Sequence, residues 1–251
     1  MIAGEFRCAQ ELRSRVPAST PDAVAWGSLG LVRGLEAYFL ILDFVPFADE
    51  SDALPDVAET AALVAALHKA NAAVRDCPTV FGTVLPTYDG IFCHMSGWEP
   101  SWTKCFSKLL SRAYHFNCLT NGVDRELQIA YELVQCVVLP RLLGRLESGG
   151  HTITPYFIHG DLWEGNIQRH KETGKLYIFD SNGFYAHHEM ELACWRTEHH
   201  KMHERAFCEA YFAINPPSAP VHEVDDRLKL YALKAYLMYS AHARGHPSRA
   251  K

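Results

Sequence analysis

In the segment His-Gly-Asp-Leu-Trp-Glu-Gly-Asn at 159–166, Asp161 and Asn166 stand five residues apart, and a further acid, Asp180, closes the run Leu-Tyr-Ile-Phe at 176–179. Phosphoryl transfer from a nucleoside triphosphate calls for such a set. A carboxylate must orient the acceptor hydroxyl and take its proton, and oxygen ligands must hold Mg²⁺ across the phosphates. A catalytic loop can put the Asp at the substrate and the Asn on the metal, with an acid at the end of a nearby strand completing the metal site. A lone His-Gly-Asp also makes an ordinary turn whose carboxylate satisfies backbone donors. The added Asn166 and the strand-terminal Asp180 argue against that reading. The pattern specifies a class of chemistry and leaves the acceptor open.

These residues need elements to carry them. Residues 4–14 read as a helix that Pro17 and Pro21 end. Residues 22–29 and 35–42 read as strands, and Asp43-Phe44-Val45-Pro46 breaks the second. An Ala/Leu-rich helix over 56–71 follows. Residues 78–100 hold three prolines and three glycines and read as a loop region, before a short aromatic helix over 101–114. The clearest amphipathic helix spans 123–139, with Leu127, Ala130, Leu133 or Val134, and Val137 on one face. Tyr156-Phe157-Ile158 leads into the loop, and strands near 166–168 and 176–179 flank a turn at 171–175. The last strong helix begins at Asp225-Asp226 and runs to about His242. The expected outcome is an α+β chain, a mainly helical part appended to a smaller strand-bearing one.

The chain has 251 residues, 48% of them hydrophobic, enough for one domain or two closely joined lobes. A net charge of −5 argues against nucleic acid or an acidic membrane as partner. No apolar run approaches a membrane span, and the N-terminus lacks the basic-then-apolar pattern of a signal peptide. None of the eight cysteines is spaced as C-x-x-C, which predicts reduced thiols in a cytoplasmic protein. Cys194, His199 and His203 invite a zinc reading but lack a fourth ligand at a fitting spacing. Glu189 and Glu191 are expected to hold the loop to a helix by hydrogen bonds, and Trp102 with Phe106, four apart, suits either core or cleft.

The segment HGDLWEGN resembles the loop of the fructosamine/ketosamine-3-kinase family, especially its fungal protein-ribulosamine 3-kinase branch. So does FDSNGFYAHHEMEL at 179–192, a strand-ending acid followed by an aromatic stretch and an acidic pair. Further matches are GEF at 4–6, AWG at 25–27, Leu67-His68, Phe81-Gly82, Ser101-Trp102 and PRLL at 140–143, so the resemblance covers nearly the whole chain. It implies a protein-kinase-like two-lobe fold, with a reduced N-terminal lobe over 1–45 and a mainly helical C-terminal catalytic lobe over 46–251. It implies Asp161 as catalytic base, Asn166 and Asp180 as Mg²⁺ ligands, and Glu5, Asp43, Phe44 and Val45 at the ATP site. Trp98, Trp102, Trp163 and His187 would lie near the acceptor. The implied activity is ATP-dependent phosphorylation of the 3-hydroxyl of ketosamines, on glycated protein lysines or as small molecules. The phosphate destabilises the adduct and the lysine is recovered.

The sequence departs from the pattern at its start. A kinase fold opens with a phosphate-covering loop and a strand lysine that pairs with a helix glutamate. Glu5 matches that glutamate, with only four residues before it, so the resemblance implies an N-terminally truncated member, an incomplete gene product or a short form that binds ATP weakly. Two rivals stay open: another kinase-fold phosphotransferase acting on an aminoglycoside or choline-like alcohol, and a pseudokinase-like binding protein that keeps the acceptor cleft.

Overall fold

The computed structural model describes residues 1–48, 54–73 and 77–245. Helix α1 (Ile2–Arg15) buries Gly4, Cys8, Leu12 and Arg15, a stripe at three- to four-residue spacing. Strands β1 (Ala23–Val32) and β2 (Leu35–Leu42) form an antiparallel hairpin. Helix α2 (Val57–Lys69) starts at Asp56, whose side chain accepts from the Glu59 N–H. These boundaries follow the expected ones closely.

Residues 78–100 correct the expectation of a loop. They form a second hairpin, β3 (Phe81–Asp89) and β4 (Phe92–Glu99). The glycines that suggested a loop are the hairpin's special points: Gly82 and Gly97 have φ of 120° and 81°, and Gly90 in the turn has 55°. Pro86 sits where the register slips between Thr83 and Thr87, so no ladder bond needs its missing N–H. Two short strands, β5 (Tyr156–Ile158) and, after the next hairpin, β8 (Phe184–Ala186), extend this sheet in the order β4-β3-β8-β5. Between them β6 (Ile167–Arg169) and β7 (Leu176–Ile178) pair as a separate hairpin.

Helix α3 (Trp102–Asn121) outruns its expected end at 114 and stops at Gly122, whose φ is 83°. Helix α4 (Arg125–Leu133) passes through a π-helical turn, Val134–Val138, into α5 (Leu139–Leu142). Its inward face is the expected one at Leu127 and Val134 and differs at the other positions. Leu127, Tyr131, Val134 and Val138 pack on the core, while Ala130, Leu133 and Val137 face out. The inward residues keep a helical period, and Tyr131, which also packs on Tyr114, takes the place expected of Ala130. The run Arg125–Glu147 also has the length and apolar composition of a membrane span, contrary to the sequence expectation. Here it lies along α3, with Tyr131 stacked on Tyr114 at 4.0 Å and Glu147 accepting from the Trp102 and Thr103 N–H groups.

Helices α6 (Arg205–Ile214) and α7 (Val224–His242) complete the chain. The core joins α1, α2, α3, α7 and the 3₁₀ segment His188–Arg196, so the first helix shares its interior with the later elements. At the centre, Glu189 accepts from Arg227 at 2.7 and 2.8 Å with both side chains fully buried. A buried pair held by two parallel bonds is costly to break, because either survivor is left as an unpaired charge.

Candidate active site

The segment 159–166 is fastened at its start by one carboxylate. The N–H groups of His159 and Gly160 donate to Glu191 at 2.6 and 3.0 Å, and His68 Nε2 lies 3.3 Å from the same side chain. Burial works against charge on Glu191, but the His68 hydrogen bond and the His159 backbone hold it below the usual carboxylate range. His159 is fully buried and pushed toward its neutral form. Its Nε2 contacts the Phe179 carbonyl at 2.9 Å, which puts the proton there and leaves Nδ1 to accept from the Asp161 N–H at 3.4 Å. Ser181 Oγ donates to the His159 carbonyl and Trp195 Nε1 to the Leu162 carbonyl. Gly160 has a φ of 82°, and a Cβ there would run into the Asn182 side chain, so this turn needs glycine. Both acids thus have the holding role expected of them, Glu191 joining the loop to α2 through His68 and Glu189 joining its own segment to α7 through Arg227.

The loop delivers Asp161 to a cleft of about 220 Å³ that Glu5, Asp89 and Asp180 also line. Asn166 is buried beside it. Its Nδ2 donates to the Asp161 carbonyl at 2.8 Å and to Asp161 Oδ2 at 3.2 Å, which turns its Oδ1 the other way. Asp180 has a φ of 59°, an uncommon conformation for a residue with a side chain, and one that concentrates at functional sites. The Asn166 amide oxygen and the Asp180 carboxylate are hard oxygen donors, the kind that suits Mg²⁺. Burial, the Asp89 charge and the Asp180 charge together push the Asp161 carboxyl up to about 7, against the lowering effect of Lys234. A carboxylate of that strength is a competent general base near neutral pH. Glu5 is likewise raised, by burial and by Asp180. Asn182 Oδ1, on the cleft wall, is a buried acceptor with no hydrogen-bond partner.

The other sequence-predicted residues fare differently. Trp163 stays beside the site, two residues after Asp161, with its ring stacked on His200 at 5.4 Å. Trp98 does not join it. It lines a separate cavity of about 460 Å³ on another face of α1, with Tyr185, Arg7 and Glu11 but none of Asp161, Asn166 and Asp180. Trp102 is fully buried and donates from Nε1 to Tyr231 at 2.9 Å, so it is a core residue. His187 is also fully buried, bonded to Tyr231 and Ser218 at 2.8 Å each, and burial pushes it down to about 3. Neither side chain has surface to offer an acceptor. Asp43, Phe44 and Val45 lie outside the Asp161 cleft, at the end of β2. Phe44 is 91% exposed, and the next residues join the β6–β7 hairpin through Phe47 stacked on Phe179 and the Lys171 N–H on the Pro46 carbonyl. Among the described residues the one trio with metal-ligand character is His187, His188 and Glu189, not Cys194, His199 and His203. Its atoms are engaged by Tyr231, Tyr211, Ser218 and Arg227.

One group at the cleft had no sequence signal. Asp89, at the β3–β4 turn, accepts from His242 Nε2 at 2.8 Å and lies 3.6 Å from Lys234 Nζ, both on α7. Lys234 Nζ in turn donates to His94 Nδ1 at 3.2 Å. Burial and the Lys234 charge push His94 down to about 3, so it is neutral and free to accept that bond.

A family model described as fructosamine kinase matches residues 1–248. Over 162 residues the chain is 29% identical to the ketosamine-3-kinase of mouse (Mus musculus), an alignment covering 64% of this chain and 48% of the mouse protein. The chain thus spans about half the length of that relative. A candidate fructosamine-3-kinase from Thermobifida fusca superposes with a TM-score of 0.69 at 21% identity, covering 100% of this chain and 76% of the other. The aminoglycoside phosphotransferase APH(4)-Ia, in ternary complex with AMP-PNP and hygromycin B, superposes at 0.60 with 15% identity, covering 94% and 74%. These likenesses establish a mixed α+β, kinase-like fold.

Proposed function

The chain belongs to the fructosamine kinase family, and from that premise we propose that it catalyses ATP-dependent phosphorylation of the 3-hydroxyl of ketosamines, ribulosamines foremost, on glycated lysines or small amines. The observation that carries the reading is the Asp161–Asn166 contact in a carboxylate-lined cleft that also holds Asp180. Asp161 accepts the proton of the acceptor hydroxyl. The freed oxygen pair attacks the γ-phosphorus, the bond to the bridging oxygen breaks, and ADP departs. Asn166 and Asp180 would hold Mg²⁺, which neutralises charge on the phosphates. Asn166 also keeps Asp161 turned toward the acceptor through its Nδ2 bond. The backbone of residues 43–45 would meet the adenine. Eight unpaired cysteines suit a reducing compartment, and we place the activity in the cytoplasm.

The test is a substrate panel of ribulose-lysine, psicose-lysine, fructose-lysine, choline and kanamycin, with ADP release followed for the parent, Asp161→Ala and Asp180→Ala. Turnover is expected for the ketosamines alone. Asp161→Ala should lose roughly 10²-fold or more, the usual scale of general-base catalysis, while its ATP affinity by calorimetry stays near the parent's. Asp180→Ala should weaken Mg-ATP binding itself. Efficient kanamycin or choline phosphorylation, or turnover by Asp161→Ala within tenfold of the parent, would sink the reading.

A further inference from the structure

Four carboxylates line the cleft, and the phosphoryl transfer accounts for three: Asp161 at the hydroxyl, Asp180 at the metal, and Glu5 close enough to Asp180 to be raised by its charge. Asp89 is left over. It reaches the cleft from the tip of the β3–β4 hairpin, away from the catalytic loop in sequence, and its charge is the largest after burial itself in raising Asp161. A carboxylate at a hairpin tip ordinarily serves as a clamp, and the His242 bond fits that role. A clamp explains one oxygen. The other faces Lys234 at 3.6 Å, a charge partner beyond hydrogen-bond length, and the side chain keeps 23% of its surface exposed. An ionised carboxylate has about four acceptor positions, so Asp89 retains capacity toward the cleft. Burial works against its charge, yet His242 and Lys234 hold it ionised, well below the usual carboxylate range.

Resting on the proposed ketosamine activity, we propose that Asp89 is a specificity-determining residue that binds the protonated secondary amine of the acceptor. In a ketosamine that nitrogen sits on C1, two carbons from the hydroxyl-bearing C3. An acceptor with O3 at Asp161 therefore carries its cation within a few ångströms, and Asp89 lines the same cleft. The amine is cationic near neutral pH, and a charge-assisted hydrogen bond to a partly desolvated carboxylate outweighs a neutral one. Lys234 competes for the same carboxylate and tempers it, while His242 fixes its direction. Asp89 thus makes the site select a sugar attached through nitrogen over the same sugar attached through oxygen.

The experiment compares ribulose-lysine with an isostere in which an ether oxygen replaces the secondary amine. It reads the amine-to-ether ratio of kcat/KM, and of affinity by calorimetry without nucleotide. Asp89→Asn is expected to lower the ratio about tenfold, mainly through KM, as loss of a charged hydrogen bond should. Asp89→Glu, which keeps the charge, is expected to retain most of it. Lys234→Met removes the competing cation without touching Asp89 and should raise the ratio. A ratio that Asp89→Asn leaves within twofold of the parent, or that Asp89→Glu lowers as much as Asp89→Asn, overturns the assignment. Should neither aspartate variant fold, an unchanged ratio in Lys234→Met overturns it. A parent that neither binds nor phosphorylates ribulose-lysine overturns the acceptor reading and this assignment together. A parent that binds it without preference over the ether overturns the assignment alone.

Discussion

Asp161 illustrates how a buried acid costs its fold something. In the unfolded chain its carboxyl titrates near the usual 3.8, and in the fold near about 7. Between those values the folded protein holds the extra proton, so stability falls as pH rises through the window and the loss is complete above about 7. Replacing it with a neutral isostere should therefore stabilise the protein at high pH. Asp161→Asn is expected to raise the thermal midpoint at pH 8 by several degrees, on the scale of roughly 2–4 °C per kcal/mol for a chain this size. The gain should shrink as pH falls and vanish by about pH 4, where both states are protonated. Calorimetric melts across pH 4–8 decide it, and a gain that does not depend on pH would show that the Asp161 carboxyl is not raised. The same residue scale separates what was legible in the sequence from what was not. Asp161, Asn166 and Asp180 were legible because a loop and the strands beside it bring them together locally. Asp89, Lys234 and His242 meet only because a hairpin tip reaches the last helix, and no spacing records that. Trp102 and His187 misled for the opposite reason: an aromatic beside a cleft and one in the core look alike until burial is known.

At the scale of elements, the β3–β4 hairpin is the part the sequence concealed. Its glycines and prolines are ordinary loop signals, and only tertiary pairing with β8 shows that they mark a bulged, twisted strand pair. The adjoining GEF motif is legible as a likeness, but its physical reason is not. A Cβ at Gly4 would run into the Pro86 carbonyl oxygen, so glycine lets α1 lie against the β3 backbone and carry Glu5 into the cleft. Gly4→Ala is expected to destabilise the protein by about 1–3 kcal/mol, the range for overpacking. It should also lower activity by more than the unfolded fraction explains, because the hairpin that carries Asp89 must move away. Denaturant titration and turnover on the same preparation would check both, and wild-type values in both would remove the close contact from the account. Most helices and most strands were legible, and the hairpin over 81–99 was the element missed. Caps such as Asp56 on α2 and the β6–β7 pairing are local, whereas β8 depends on partners far along the chain.

At the scale of the whole molecule, polar and apolar surface are unevenly shared. The β1–β2 hairpin exposes Leu31 and Leu35, each at 74%, beside Val24, Trp26, Leu29 and Tyr38. A contiguous apolar patch of this kind on a two-stranded sheet with open edges favours self-association. Replacing Leu31 and Leu35 together with Lys should leave the thermal midpoint within about 0.5 kcal/mol equivalent, as surface changes usually do. It should also reduce the apparent mass at high concentration in sedimentation. A large loss of stability would mean that these side chains pack in the monomer. The first helix leads elsewhere. Gly4 seats one end of α1 against β3. At the other end Arg15 is buried, bonded to Asn71 and Tyr185 at 2.8 Å and stacked over Phe157 at 4.9 Å. The helix is thus seated at both ends. Contacts at both ends of α1, Gly4 on β3 and Arg15 on Asn71 and Tyr185, set where Glu5 meets the cleft.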